Sequence, residues 1–166
     1  MSDTQPEKPS GSFADSMERN PREKQSRLPK MPQLASDSDH RGTPKKLELF
    51  AEGVSIGWLG QDPDEWCVIV TEDSALSLVP YVYGDDLYYI REENPWAALE
   101  VSATYEYVGF YSCSDGSIPV TWGYDASTGI LTSFYTGAQL SYWSIDDRHI
   151  YANGSSGYKP LTAFFK

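Results

Sequence analysis

Cysteine and histidine are scarce in this 166-residue chain, which contains two of each. Cys67 and Cys113 are too few for a disulfide framework and form no C-x-x-C motif, so we expect two buried free thiols, with a single bridge as the alternative. Nucleophilic catalysis needs a positioned base, and the chain offers only His40, in a polar N-terminal stretch, and His149. We therefore predict a protein that is not an enzyme and assign no catalytic residues.

Long apolar runs are missing. No stretch approaches the roughly 18 residues that a transmembrane helix needs, so no membrane span is expected. The first residues, MSDTQPEKPSGS, lack the apolar core of a signal peptide, and cytoplasmic localisation is the default expectation, with non-classical secretion as the alternative. No segment repeats its apolar residues with a period of 3.6, so we expect almost no helix in the folded part.

Aromatic residues are almost missing from the first 46 positions, where Phe13 is the only one. A stretch with so few large apolar groups buries too little surface to offset the entropy cost of ordering its backbone. The sequence therefore predicts a disordered arm or linker over residues 1–46 and a folded domain over residues 47–166.

Basic residues are scarce in the predicted domain. Residues 1–46 carry nine Lys or Arg against seven Asp or Glu, whereas residues 47–166 carry four against 17, a net charge of −13. Such a surface repels polyanions and attracts cations. We expect no nucleic-acid binding, and a basic protein is a candidate partner.

Metal-binding patterns are also missing. Asp62, Asp64 and Glu65 lie close together in the sequence but lack the spacing of a calcium loop. Neither Cys has a nearby His with which to bind zinc. We predict no metal and no cofactor.

Short β-branched and aromatic runs, separated by Gly, Asp, Asn, Ser and Pro, fill the chain from Leu47 onward, and this pattern is typical of strands and turns. Twelve segments fit it: KLELF, SIGWLG, CVIVTE, VPYVYG, LYYIRE, AALEVS, YVGFYS, PVTWGY, ILTSFY, AQLSYWS, HIYANG and PLTAFF. One candidate strand in every ten residues indicates an all-β sandwich or barrel.

An internal repeat accompanies these strands. A shift of 41 residues superposes five identical pairs without a gap: Leu99 on Leu140, Ser114 on Ser155, Gly116 on Gly157, Pro119 on Pro160 and Thr121 on Thr162. The same shift places Phe110 on Tyr151, and Leu59 lies 40 residues before Leu99. A weaker third copy upstream matches Val79-Pro80 and Tyr83-Gly84 with Ile118-Pro119 and Trp122-Gly123. The pattern predicts three units of about 40 residues, each with four strands.

Twelve strands in three such units resemble the β-trefoil, a fold that includes many lectins and several protease inhibitors. The resemblance extends over residues 47–166 and rests on strand number, repeat length and the recurring Pro and aromatic-Gly pairs. The Gln-x-Trp signature of ricin-type lectins is absent, so that subfamily's sugar positions are not transferred. A β-prism and a β-sandwich are the alternative folds.

Candidate ligand-binding residues follow from alternation and from the aromatic excess. Asp147, His149, Tyr151 and Asn153 alternate along one predicted strand and so share one face. Trp66, beside Asp64, and Trp96, after Asn94-Pro95, are expected near the surface because five Trp do not fit in a narrow barrel. Glu106 and Phe110 occupy the places of Asp147 and Tyr151 in the preceding unit under the 41-residue shift.

Two functions remain open at this point. Carbohydrate binding is favoured because aromatic rings beside Asp or Asn suit sugars, and three units would give up to three weak sites and avidity. The alternative is an acidic inhibitor or immunity-type protein that neutralises a cationic enzyme or toxin.

Overall fold

The structure is a computed structural model of the chain, and it describes Pro6 and residues 11–13, 41–83, 86–93, 97–102, 105–112 and 121–166. These residues form an all-β protein, which confirms the predicted fold class at that level. Its strands are β1 (Lys45–Ala51), β2 (Val54–Gln61), β3 (Cys67–Val70), β4 (Ser77–Tyr83), β5 (Asp86–Arg91), β6 (Ala97–Val101), β7 (Val108–Ser112), β8 (Trp122–Asp125), β9 (Ile130–Ser133), β10 (Ser141–Tyr142), β11 (Lys159–Pro160) and β12 (Thr162–Phe165). A 3-10 turn, Glu72–Ser74, lies between β3 and β4.

Some sequence predictions fall outside the described residues. They concern most of the predicted arm (residues 1–5, 7–10 and 14–40), Trp96, Cys113 and the segment 113–120, where three of the five repeat identities lie. Cys67 is described, and its thiol is free and buried. Burial raises the pKa of the Cys67 thiol, which keeps it protonated and unreactive.

One antiparallel sheet contains most of the strands. Its order is β3-β2-β1-β4-β5-β6-β7, and β12 also pairs with β1. β1 has room for both neighbours because Lys45 and Lys46 pair with β4, whereas residues 47–50 pair with β12. A bridge between Trp66, next to β3, and Gly109 of β7 joins the two ends of the sheet. The sheet is therefore nearly closed and barrel-like.

The twelve strands fall into two sets of six. The first set forms a ring through the pairs β1–β4, β4–β5, β8–β9 and β12–β1 and through the contacts of β5 with β8 and of β9 with β12. At the last contact, Ala163 N donates a hydrogen bond to Gly129 O at 2.7 Å. The second set forms three hairpins, β2–β3, β6–β7 and β10–β11.

Three isolated bridges connect these units in a cycle. Each joins one unit to the next, and they are Trp66 with Gly109, Tyr107 with Tyr151, and His149 with Val68. The first residues of the bridges are 41 and 42 positions apart, and so are Val68, Gly109 and Tyr151. We call Trp66, Tyr107 and His149 the axial residues, because they surround the point where the three units meet.

Backbone hydrogen bonds beside the bridges follow the same cycle. The donors and acceptors are Phe110 N to Glu65 O at 3.2 Å, Ala152 N to Glu106 O at 2.9 Å, and Ile69 N to Arg148 O at 2.8 Å. Each acceptor directly precedes an axial residue and has a left-handed φ, of 73°, 56° and 61° respectively. Residues with a Cβ rarely adopt this conformation, so its recurrence indicates one type of turn that is used three times.

The offset between the second and third units is 42 residues at this point. The hydrogen bonds place Ala152, not Tyr151, in the position of Phe110. Because neighbouring residues of an extended segment point to opposite faces, this one-residue difference changes the face that Tyr151 presents. Phe110 accordingly lies in the main core, whereas Tyr151 packs with the axial residues.

The main core is filled by buried apolar side chains from both the ring and the hairpins. Leu59, Leu99 and Leu140, which the repeat relates, are all fully buried in it. The indole of Trp122 closes this core and donates a hydrogen bond from Nε1 to Leu99 O at 3.2 Å. In the described part of the chain, no helix is long and apolar enough to cross a membrane.

One carboxyl group is buried within the sheet. Glu100 of β6 is 1% exposed, and its Oε1 has no hydrogen-bond partner among the residues that the structure describes. Burial raises the pKa of Glu100 well above its ordinary range, because a charged carboxylate is unfavourable away from water. The folded protein therefore favours a protonated Glu100.

We predict that Glu100→Gln stabilises the protein more at pH 7 than at pH 4. Below the ordinary carboxyl pKa, about 4.3, Glu100 is protonated in both the folded and the unfolded chain, so it imposes no penalty. As pH rises above that value, the unfolded chain loses the proton first, and stability falls by up to about 1.4 kcal/mol per pH unit.

Urea unfolding of both proteins across this pH range measures the effect. The matched control is Glu92→Gln, which changes an exposed carboxyl group in the same way. An equal pH dependence of the two variants would contradict the prediction.

Candidate functional site

The axial residues form an aromatic cluster where the three units meet. The ring centroid of Tyr107 lies 4.9 Å from that of Trp66 and 5.5 Å from that of His149, and the Trp66 and His149 rings are 6.3 Å apart. Trp66 and Tyr107 are buried, and His149 is half-buried. These contacts follow from the cyclic bridges, which bring the three side chains together.

Tyr151 extends this cluster towards the surface. Its side chain is fully buried, with its ring 4.6 Å from Tyr107 and 5.1 Å from Tyr158. Its hydroxyl donates a 2.7 Å hydrogen bond to Oδ2 of Asp147. Burial, reinforced by the bond to Asp147, raises the pKa of Tyr151 far above its ordinary value. Tyr151 thus positions Asp147 and has no exposed surface to offer a ligand.

The segment that holds the predicted polar face is not a regular strand. His149 and Tyr151 make isolated bridges, and the segment has no continuous ladder. Alternation nevertheless persists, because Asp147 and Tyr151 are bonded to each other and His149 packs in the same cluster. Asn153 takes part in a different arrangement.

Asn153 and Glu106 form the most organised polar pair among the predicted site residues. Asn153 Nδ2 donates to Glu106 Oε1 at 2.8 Å and to Tyr105 O at 3.2 Å, while Asn153 Oδ1 accepts from Ser155 N at 2.8 Å. Tyr105 and Glu106 both have left-handed φ angles, of 53° and 56°. The Asn153 side chain therefore stabilises a strained turn and fixes the direction of the Glu106 carboxylate.

This pair borders a surface groove with a volume of about 460 Å³. Its other lining residues are small or hydroxylated: Thr136, Gly137, Ala138, Ala152, Gly154 and Ser155. A second hollow of about 360 Å³ shares Gly137, Ala138, Asn153 and Gly154 and extends to Tyr158. We call the two together the Glu106–Asn153 groove. Small side chains leave the backbone and the polar pair accessible from solvent.

Tyr158 forms an aromatic wall at one end of this groove. Its ring packs edge-on against Trp143 at 5.2 Å and is half-buried. Burial and the nearby negative charge of Glu106 raise the pKa of Tyr158 to about 12. The sequence analysis missed Tyr158, although it follows the turn Asn153-Gly154, which is the one signal that marks this loop.

The remaining predicted site residues lie elsewhere. Trp66, expected near the surface, is fully buried, and Asp64 is exposed beside it. Phe110 is fully buried in the main core, with the Arg91 guanidinium 5.7 Å from its ring centroid. Trp96 is outside the described residues. The structure thus brings Glu106 together with Asn153 and separates it from Phe110.

A second cleft, of about 580 Å³, lies between β1, β4, β5, β8 and β12. Its walls are aromatic: Phe165 stacks on Tyr89 at 5.3 Å and meets Tyr124 edge-on at 5.1 Å. The Tyr124 hydroxyl donates to Ala163 O at 2.7 Å, so this polar atom is engaged within the protein. The cleft contains none of the residues predicted from sequence, and its only charged lining residue is Lys45.

Within the described ranges, no group of three or more His, Cys, Asp or Glu side chains is arranged to hold a metal ion. Comparisons of the chain with models of protein families, with curated proteins and with solved structures find no match. The chemistry of the groove is therefore argued from its own residues.

We predict that Tyr151→Phe destabilises the protein by about 1 kcal/mol, because it removes the hydrogen bond to Asp147 and leaves the packing intact. Tyr151→Ala also removes a buried ring and should cost about 3 to 5 kcal/mol. Chemical denaturation measures both. The control, Tyr142→Phe on half-exposed β10, should change stability by less than about 0.5 kcal/mol. Equal effects of the two Phe substitutions would contradict the role of the Asp147 bond.

Proposed function

We propose that this protein is a non-enzymatic carbohydrate-binding domain and that the Glu106–Asn153 groove holds the sugar. The main support is the 2.8 Å hydrogen bond from Asn153 Nδ2 to Glu106 Oε1 at the edge of the groove. This bond orients a carboxylate, which accepts hydrogen bonds from ligand hydroxyls, next to an amide group. A few convergent polar groups in a preformed groove suit a small, hydroxyl-rich ligand.

The other walls of the groove fit the same ligand class. The ring of Tyr158 offers an apolar body for the C–H face of a pyranose and a hydroxyl for its polar edge. Gly137, Ala138 and Gly154 leave space for a flat ring to approach the backbone. The groove therefore combines one aromatic surface with fixed polar groups.

We propose one sugar site, not three. In the cyclic hydrogen bonds, Glu65 and Arg148 occupy the positions equivalent to Glu106. The same offsets of 41 and 42 residues relate Asn153 to Tyr111 and Val70. Neither of the other two units therefore repeats the Glu–Asn pair, and avidity through repetition is not part of the proposal.

We also propose that the fold is a β-trefoil. The ring β1-β4-β5-β8-β9-β12 and the three hairpins β2–β3, β6–β7 and β10–β11 support it, because a trefoil consists of a six-stranded barrel and three hairpins. The cyclic bridges with spacings of 41 and 42 residues support the same threefold arrangement. A β-prism or a β-sandwich offers no reason for this cycle.

A glycan array probed with the full chain tests the sugar proposal. We expect at least one glycan whose binding is similar at low and at high salt, because neutral hydroxyls contribute little long-range electrostatics. Glu106→Gln, which keeps an acceptor oxygen for Asn153, and Asn153→Ala should each weaken that binding about tenfold or more.

The matched control is Asp73→Asn, a change at an exposed carboxyl group in the 3-10 turn, which should bind like the wild type. Thermal unfolding of each variant separates loss of the site from loss of the fold. No hit at either salt concentration, or a hit that Glu106→Gln and Asn153→Ala leave unchanged, would overturn the proposal.

The acidic surface supports a second candidate function, the binding of a basic protein. Eight described carboxylate residues are exposed: Glu52, Asp64, Glu72, Asp73, Glu92, Glu93, Asp125 and Asp146. Complementary charge accelerates association and is screened by salt. Capture of a basic protein at low salt that is released at high salt would favour this function over sugar binding.

A further inference from the structure

A short piece of the N-terminal stretch lies on the domain, beside the axial residues. Phe13 is fully buried, and its ring meets that of Trp66 edge-on at 5.3 Å. The backbone takes part as well, because Phe13 N donates to Asp64 O at 2.9 Å and Trp66 Nε1 donates to Gly11 O at 3.3 Å. Residues 11–13 therefore bind through one aromatic side chain and two hydrogen bonds.

The Phe13 ring occupies a hollow that exists because Gly109 has no side chain. A Cβ at this position would lie 2.4 Å from two atoms of the Phe13 ring, much closer than a real Cβ approaches any atom. The equivalent positions in the other two units are Val68 and Tyr151, which both carry side chains. Gly109 lies in β7 without a left-handed φ, so the strand itself does not require glycine. Space for Phe13 is the physical reason for glycine here.

The sequence gives this contact a single anchor. Phe13 is the only aromatic residue among the first 46, and residues 14–40 separate it from Arg41, which bridges to Tyr81. A connection of 27 residues reaches at most about 90 Å, more than enough to return to the same domain. Such a connection holds the segment at a high effective concentration near its site.

We propose that the hollow over Gly109 is a peptide-binding site for a short Gly-x-Phe segment and that residues 11–13 of the same chain are its resident ligand. A buried aromatic anchor with flanking main-chain hydrogen bonds is a general mode of peptide recognition. The site is specific for this segment because Trp66 contributes both the ring that contacts Phe13 and the N–H that binds Gly11. The resident segment is exchangeable for the same peptide supplied from outside.

Chymotrypsin measures release of the resident segment, since the bond after Phe13 is its preferred site within the first 46 residues. In the wild type the buried ring protects this bond. Gly109→Ala fills the hollow, and we expect cleavage after Phe13 to be about tenfold faster or more, as for a site that opens locally.

The matched control is Gly154→Ala, whose added Cβ would meet its nearest neighbour, Ala138, at an ordinary 3.6 Å. It should be cleaved after Phe13 at the wild-type rate. Circular dichroism of both variants shows that the β-structure is retained. Equal cleavage of the wild type and Gly109→Ala would overturn the proposal.

Titration with a synthetic peptide of residues 6–16 tests exchange. The full chain with Phe13→Ala has an empty hollow, and we expect it to bind one equivalent of peptide in calorimetry at concentrations up to about 1 mM. The wild type, the Phe13→Ala/Gly109→Ala double variant and a peptide with Ala in place of Phe should show no binding. If Gly109→Ala accelerates cleavage but no variant binds the peptide, exchange is overturned and only the resident contact stands.

Protein concentration distinguishes the source of the resident segment. Docking within one chain gives a cleavage rate that does not change with dilution, and the protein remains monomeric in analytical ultracentrifugation. Protection that is lost on dilution, together with a dimer, would mean that the segment comes from a second copy and would overturn the assignment to the same chain.

Discussion

The closest constraint on this structure is the cycle of backbone bonds where its three units meet. Each unit presents a left-handed residue followed by an axial residue, and each donates and accepts in the same direction around the cycle. Because every unit depends on the next, none of the hairpins satisfies its edge alone. The aromatic cluster of Trp66, Tyr107 and His149, the turn that directs Glu106 and the hollow over Gly109 all result from this arrangement.

Small departures from threefold equivalence create the features that are suited to binding. One extra residue before Ala152 turns Tyr151 into the axial cluster and allows Asn153 to reach Glu106. A missing side chain at Gly109 leaves a hollow where its counterparts have Val68 and Tyr151. The repeated framework supplies rigidity, while its exceptions supply two chemically different sites, one polar and one apolar.

Much of the fold was predictable because alternation and turn residues are local signals. Segments such as SIGWLG and YVGFYS contain β2 and most of β7, whereas HIYANG forms only isolated bridges, because its partners are three different units. The site was less predictable. A gapless 41-residue shift aligns Phe110 with Tyr151 and hides their opposite orientation, and the alternation that puts Leu99 in the core predicts an exposed Glu100, which is buried. Burial of Phe13 depends on a contact 96 residues away in the sequence, at Gly109, and no local pattern reports such a contact.

The division of β1 between two neighbours has a consequence for the order in which the protein folds. Most strand pairs are hairpins of neighbouring segments, which close short loops and form quickly. The pairing of β1 with β12 joins Leu47 to Phe165, 118 residues apart, and pays a larger loop-closure entropy. It is therefore a late event, and until it occurs residues 47–50 present an open edge on one side. The last four-residue strand thus commits the molecule to its native state, and a nascent chain stays prone to edge-to-edge association until that strand is in place.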